Sequence, residues 1–154
     1  GGFVQILLNY GAKKVYALDT AVGKLDVTLR GDSRVVVMEG IDVRKVTALS
    51  EKIALVTIDV SLIPLREILP HVKRLIDAEG DVIALLKPQY EARDKTMLTH
   101  GIIKDDVDRK KIVNDFTVHL DSLGYRLQEM IESPIHGSKG NIEYLLHLKL
   151  LHQI

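Results

Sequence analysis

The chain has 154 residues, 46% of them hydrophobic, which is enough for one domain with a real core and too few for two. Its 21 basic and 21 acidic residues cancel, so the overall charge does not indicate a polyanionic partner, and a nucleic-acid-binding role has to be argued from a site. The chain contains no cysteine, which excludes disulfides and thiolate metal sites. No apolar run reaches the ~20 residues of a membrane helix, and GGFVQILLNYGAKK lacks the pattern of a signal peptide. We therefore expect a single-domain cytoplasmic protein.

Short β-branched runs alternate with longer amphipathic stretches in the first part of the chain, which predicts βαβ units on a parallel sheet. The predicted strands cover residues 15–19, 35–39, 54–60 and 82–88, and the predicted helices cover 3–11, 22–31 and 65–80. Gly11, Gly31 and Gly80 stand where helix ends favour a left-handed residue, and Pro70 should bend or restart the third helix.

The second part of the chain begins with a polar stretch, residues 91–106, for which we predict a loop. An amphipathic helix is predicted for 107–124, ending at Gly124. Two further strands follow at 125–135 and 142–151, joined by HGSKGN, a connection suited to an antiparallel return. The pattern as a whole predicts an α/β fold.

Polar residues at the carboxyl ends of the predicted strands are the candidates for a site, because ligands of open α/β sheets bind there. These residues are Asp19, Glu39, Asp42, Asp59 and Lys87. Asp19 follows Gly1 and Gly2 by ~20 residues, the interval at which dinucleotide-binding folds place an acid against ribose hydroxyls. It could equally cap the next helix, and Asp42 could accept an adenine amino group or cap the turn at VRKV.

Asp59 and Lys87 follow consecutive strands separated by one crossover helix, so their side chains can meet at one edge of the sheet. Burial would favour a neutral lysine that acts as a base, whereas neighbouring carboxylates would keep it charged as an electrostatic anchor. The alternative is a salt bridge with a purely structural role.

Glu143 opens the last apolar strand, after a segment in which Gly137 and Gly140 permit close approach to a ligand. The alternative is an exposed acid in a hairpin turn. The six histidines show no metal-ligand spacing, so we expect no metal site. Ser61 lacks the G-x-S-x-G context of a hydrolase nucleophile.

Several segments taken together are similar to a known family. They are GGF, GAKKVYALD, RVVVMEGIDVR, TIDVSLIPLREILP, ALLKPQYE, HGIIKD and SPIHGSKGNIEYLLHLK, in this order along nearly the whole chain. LKPQYE and GNIEYLLHL are the most specific of them. On these segments the chain resembles the TlyA or haemolysin-A-like proteins, whose catalytic domain is an FtsJ-like methyltransferase.

The resemblance implies a Rossmann-like class I methyltransferase with a mostly parallel sheet and an antiparallel C-terminal strand. It implies an enzyme that uses S-adenosylmethionine to methylate the ribose 2′-hydroxyl of ribosomal RNA, with rRNA or ribosomal subunits as partners. The implied catalytic residues are Asp59, Lys87 and Glu143, the last three of a Lys–Asp–Lys–Glu set. The implied cofactor-binding residues are Gly1 and Gly2 at the methionine part, Asp19 at the ribose, Asp42 near the adenine, and Asp59.

The chain departs from the family pattern in two places. The family motif starts before GGF, with an apolar strand, an acid–glycine turn and the first lysine of the set, and an S4-type RNA-binding domain precedes it. The resemblance therefore implies that residues 1–154 are one methyltransferase domain truncated at its N-terminus. The loop EARDKTMLTHG also lacks the glycine-rich passage with a G-K pair that is usual there.

Two other functions compete with the enzyme. One is a catalytically inactive RNA-binding or ribosome-assembly module, which would not need a lysine and two acids at one point. The other is a membrane-lysing haemolysin, which the lack of an apolar span or a strongly basic amphipathic helix disfavours.

Overall fold

The structure of the protein is a computed structural model, and it describes residues 1–152. The chain forms two compact units, Gly1–Thr47 and Ala48–Ile154. The expectation of one methyltransferase domain over 1–154 stays a prediction. No helix among the described residues is long and apolar enough to cross a membrane.

The first unit contains one pair of parallel strands. Its elements are α1 (Gly2–Asn9), β1 (Val15–Asp19), α2 (Val27–Arg30), β2 (Val35–Glu39) and a 3-10 turn at Val43–Lys45. Asp19 lies opposite Glu39, so two acidic residues end the pair at the same edge. Both strands have the predicted bounds.

The helix predicted at 22–31 is wrong for most of its length. Only Val27–Arg30 is helical. Asp26 caps this short helix by accepting the N–H of Thr28 at 2.8 Å, so the helix begins at Val27. Gly31 has φ −81°, a right-handed value, whereas Gly11 is left-handed as predicted, with φ +92°.

The second unit is built on a mixed four-stranded sheet. Its elements are β3 (Ile53–Ile58), α3 (Leu65–Val72), β4 (Ile76–Leu86), α4 (Pro88–Glu91), a 3-10 turn (Lys95–Met97), β5 (Leu98–Thr99), β6 (Ile102–Ile103), α5 (Asp106–Val118), α6 (Leu120–Leu123), β7 (Tyr125–Glu132) and β8 (Tyr144–Leu150). The strand order is β3-β4-β8-β7. β3 and β4 run parallel, while β8 is antiparallel to both β4 and β7, which confirms the predicted antiparallel return.

The helix predicted at 65–80 is wrong beyond Val72, and residues 76–80 belong to β4 instead. The apolar stripe of α3 ends at Val72, and Ile76 is almost fully buried in a pair with Ile53. The register of β3 and β4 shifts just after this pair, so residues 77–80 are accommodated as an irregularity within the strand. Burial of Ile76 against the neighbouring strand therefore outweighs the helical propensity of the segment.

The predicted loop at 91–106 contains a small hairpin, β5–β6. Its two turn residues, His100 and Gly101, both have positive φ, +51° and +79°, as the tightest hairpin turns require. The helix predicted at 107–124 is divided into α5 and α6, and it ends at the left-handed Gly124 as predicted.

Buried and more exposed side chains alternate along β4 and β8, and this alternation determines where the predicted catalytic residues lie. Val82, Ala84 and Leu86 are fully buried, and they share one face with Leu146 and Leu148. The last pair of this ladder is Leu86 with Tyr144. Because the two strands are antiparallel, the next positions outward are residues 87 and 143, which thereby emerge side by side at the edge of the sheet.

Candidate active site

Lys87 and Asp59 form an ion pair at the carboxyl ends of the neighbouring parallel strands β4 and β3. Lys87 Nζ lies 2.7 Å from Asp59 Oδ1, and it donates to Ser61 Oγ at 3.2 Å. The lysine side chain is only 13% exposed, whereas the aspartate side chain is 52% exposed. The pair therefore holds a largely covered lysine side chain beside a carboxylate that is open to solvent.

The backbone around Lys87 keeps its side chain at the strand end. Lys87 precedes a proline and has the extended conformation that this position favours, with φ −112° and ψ +97°. Pro88 then occupies the first position of α4, where its missing N–H needs no partner. The Lys-Pro dipeptide therefore ends the strand and begins the helix within one residue.

Glu143 is buried, with 6% of its surface exposed, so the alternative of an exposed acid in a turn is wrong. Its Oε2 accepts a hydrogen bond from Gln89 Nε2 at 2.9 Å. A Cβ atom placed on Gly137 would lie 2.8 Å from the same oxygen. Within residues 1–152, Glu143 forms no ion pair with Lys87, so the carboxylate is held by an amide rather than by the lysine.

Asn141 anchors the loop that precedes Glu143, although no sequence motif pointed to it. Its Oδ1 accepts the N–H of Ile103 at 3.0 Å, and its Nδ2 donates to the carbonyl of Gly101 at 2.9 Å. The loop is closed by a hydrogen bond from the N–H of Gly137 to the carbonyl of Asn141 at 2.8 Å. The β5–β6 hairpin and the loop are thus fixed to each other through one buried amide.

Glu91 is a second buried acid that sequence reasoning did not single out. Its carboxylate accepts the N–H of Leu65, the first residue of α3, and pairs with Arg66 Nη1 at 3.0 Å. Burial raises the pKa of Glu91 above its usual value. Because these contacts satisfy the start of a helix, we assign Glu91 a structural role.

The structure places the predicted cofactor residues of the first unit as follows. Asp19 is exposed at the end of β1, and its Oδ1 accepts the N–H of Ala21 at 2.9 Å. Gly2 opens α1, and a Cβ atom added to it would meet nothing within 4 Å. A Cβ atom on Gly1 would lie 2.9 Å from Leu29 Cδ1. Asp19 is therefore exposed to solvent, whereas Gly1 has a side chain of its own unit close by.

Asp42 takes the capping role that the sequence left as one of two alternatives. It accepts the N–H of Arg44 at 2.9 Å and binds the Arg44 guanidinium, with Nη2 2.7 Å from Oδ2. The hydrogen bonds from the Arg44 side chain and backbone lower the pKa of Asp42 to about 2. Glu39 is held in a similar way, by the N–H of Gly23 at 3.0 Å and by Arg30, and these contacts lower its pKa.

The second unit also contains a cavity that is distinct from the predicted catalytic residues. A cavity of about 490 Å³ in the second unit is lined by Arg66, Glu91, Arg93, Asp94, Met97, Lys111, Ile112, Asp115, Phe116, His119, Ser122 and Leu123. None of the predicted catalytic residues lines it.

In the described part of the chain, no group of three His, Cys, Asp or Glu residues is arranged to hold a metal ion.

The chain matches known proteins over nearly its whole length. It is 39% identical over 150 residues to Hemolysin A of Brachyspira hyodysenteriae, and the match covers 96% of this chain and 62% of the relative. It is 38% identical over 152 residues to the 23S rRNA (cytidine-2′-O)-methyltransferase TlyA of Campylobacter jejuni, covering 96% and 57%. The chain therefore spans about three fifths of the length of these relatives.

Solved structures agree with these matches. A chain from Streptococcus thermophilus that is named as a hemolysin superposes with a TM-score of 0.94 at 35% identity, covering 99% of this chain and 56% of that one. More distant methyltransferases that depend on S-adenosylmethionine share the Rossmann-like fold, with TM-scores of 0.68 and 0.60 at 14% and 13% identity. The model of the FtsJ-like methyltransferase family matches residues 1–150, and the chain belongs to that family.

Proposed function

We propose that this chain is the methyltransferase part of an enzyme that transfers a methyl group from S-adenosylmethionine to a ribose 2′-hydroxyl of ribosomal RNA. The observation that carries the proposal is the largely covered lysine held between Asp59 and Ser61 at the carboxyl edge of the sheet. Membership of the FtsJ-like family and the cytidine-2′-O activity named for the Campylobacter relative support the reaction and the substrate class.

The reaction forms a bond between the ribose oxygen and the methyl carbon, breaks the bond between that carbon and sulfur, and releases the hydroxyl proton. S-adenosylmethionine, when bound, supplies an electrophilic methyl group and a neutral thioether leaving group. The remaining task of the protein is to align the weakly nucleophilic hydroxyl and to stabilise or remove its proton.

In this proposal Lys87 contacts the ribose 2′-oxygen. A charged Lys87 would donate a hydrogen bond to that oxygen and stabilise the negative charge that develops on it, whereas a neutral Lys87 would accept its proton. Asp59 fixes the lysine by the ion pair, and we place Glu143 at the next position along the same edge as the third member of the set.

The residues present suit S-adenosylmethionine at two points of the first unit. The exposed carboxylate of Asp19 can accept hydrogen bonds from ribose hydroxyls, and the backbone N–H groups at the N-terminus of α1 suit the methionine carboxylate. Asp42 fits less well because Arg44 already occupies its carboxylate. Asp59 stays in the proposed cofactor-binding set because half of its side chain is exposed.

Replacement of Lys87 tests the proposal. We expect Lys87→Met to lower kcat for methyl transfer to ribosomal subunits by at least ~10²-fold and to leave the affinity for S-adenosylmethionine within about twofold. Lys87→Arg keeps the positive charge but cannot act as a base, so retained transfer by this variant would identify the electrostatic role of Lys87.

Lys149→Met is the matched control, because Lys149 is another lysine of the same sheet that binds a carboxylate, with Nζ 3.1 Å from Asp81. It should transfer methyl groups as the parent does. If Lys87→Met transferred as well as this control, Lys87 would have no part in the reaction. If the parent bound RNA and cofactor but transferred nothing, the protein would be an RNA-binding or assembly module.

A further inference from the structure

Gln89 is a buried amide beside the proposed catalytic residues with only half of its hydrogen-bonding groups in use. It lies in α4, two residues after Lys87, and only 8% of its surface is exposed. Its Nε2 donates to Glu143 Oε2 at 2.9 Å, while its Oε1 is buried and has no partner among the described residues. The other buried amide of this region, Asn141, uses both its oxygen and its nitrogen.

The carboxylate of Glu143 determines which way the amide of Gln89 points. An ionised carboxylate only accepts hydrogen bonds, so the reversed amide would bring two acceptor oxygens together. The observed orientation gives Glu143 a donor and leaves the amide oxygen unsatisfied, which is unfavourable in a buried position. The amide is therefore placed to serve Glu143 rather than to satisfy its own groups.

Gln89 and Lys87 belong to one short turn, so they are positioned together. The N–H of Tyr90 donates to the carbonyl of Lys87 at 2.9 Å, and the N–H of Ala92 donates to the carbonyl of Pro88 at 3.1 Å. The same carboxylate oxygen of Glu143 lies close to Gly137, where an added Cβ atom would be only 2.8 Å from it. Gln89 thus links the position of the Glu143 carboxylate to the turn that carries the lysine.

We propose that Gln89 is a positioning residue, which acts through Glu143 by fixing its carboxylate in the geometry that methyl transfer requires. The inference rests on the function proposed above. It assigns the glutamine of the PQYE segment a role distinct from that of Glu91, whose contacts are with the start of α3.

The test combines Gln89→Met with a double-variant cycle in the full-length protein. Met keeps the volume of the side chain but donates no hydrogen bond, so we expect kcat for methyl transfer to fall at least about tenfold. KM for ribosomal subunits and the affinity for S-adenosylmethionine should stay within about twofold. In a Glu143→Ala background the same change should alter kcat less than about twofold, because its target is already absent.

Gln128→Met, a matched change at an exposed position of β7, should behave as the parent. Gln89→Leu provides a second variant if Gln89→Met does not fold, since its side chain also donates no hydrogen bond, and it should lower kcat at least as much. A parent-level kcat in the folded Gln89 variants, or a loss in the Glu143→Ala background as large as in the parent, would overturn the proposal. Absence of transfer by the parent would instead overturn the proposed function, and this inference with it.

Discussion

Removal of one buried hydroxyl group, by Tyr125→Phe, tests whether a hydrogen bond between β7 and α3 stabilises the second unit. Tyr125 is the first residue of β7 and is fully buried, and its hydroxyl donates to the carbonyl of Leu69 at 2.5 Å. Leu69 lies in the last turn of α3, where carbonyl groups have no partner within the helix. The bond therefore ties the start of β7 to the end of the helix that follows β3.

The expected loss of stability follows from these contacts. A net hydrogen bond contributes about 1 kcal/mol, and a buried carbonyl left without a partner costs about 1–3 kcal/mol. The aromatic ring stays in place, so the free-energy cost of leaving a cavity is small. We expect the free energy of unfolding to fall by about 1–3 kcal/mol, which lowers the urea midpoint by roughly 0.5–1.5 M without changing the slope of the transition.

Urea unfolding followed by circular dichroism measures this change, with Tyr10→Phe as control because Tyr10 is 90% exposed. Burial also raises the pKa of Tyr125 above its usual value of 10.0, so the stability it contributes is present below pH 10 and declines as the pH rises above that value. The difference between parent and Tyr125→Phe should shrink there. Equal midpoints for Tyr125→Phe and Tyr10→Phe at neutral pH would show that the hydrogen bond from Tyr125 to Leu69 does not stabilise the fold.

Two other changes test the surroundings of the site. Because burial raises the pKa of Glu91, the stability contributed by this group is full below its usual pKa of 4.5 and is lost as the pH rises through the raised value. Urea unfolding at several pH values should therefore show Glu91→Gln gaining stability relative to the parent as the pH rises above 4.5, and a constant difference would contradict the raised pKa of Glu91. In Gly137→Ala, the new Cβ atom would displace the Glu143 carboxylate, so we expect kcat to fall about tenfold with unchanged affinity for S-adenosylmethionine. Gly31→Ala, whose Cβ would make only ordinary contacts, is the control, and equal kcat for the two variants would count against a role for Glu143.

The strands and the position of Lys87 could be predicted from the sequence because both depend on burial. Buried strands appear in a sequence as short runs of apolar, β-branched residues. Val15–Asp19 and Val35–Glu39 are β-branched runs between turn residues, and the structure has them with those bounds. A lysine directly after a buried strand is rare, and its place beside Asp59 follows from the neighbouring parallel strands.

Features that depend on long-range contacts left no such pattern. Residues 76–80 read as the end of a helix until the pairing of Ile76 with Ile53 is known. The hydrogen bond of Gln89 joins residues 54 positions apart, and that of Asn141 joins residues 38 positions apart. The sequence around each of these residues does not distinguish it from a glutamine or asparagine in an ordinary turn. The sequence predicted that Glu143 belongs to the site, but not that an amide holds its carboxylate.

The most direct test of the account is to locate the methyl group. Unmodified ribosomal subunits would be incubated with labelled S-adenosylmethionine and the full-length protein, and the RNA would then be digested to nucleosides and analysed by mass spectrometry. We expect label on a ribose 2′-oxygen with the parent and with Lys149→Met, and at least ~10²-fold slower labelling with Lys87→Met. Label on a base, or undiminished labelling by Lys87→Met, would contradict it.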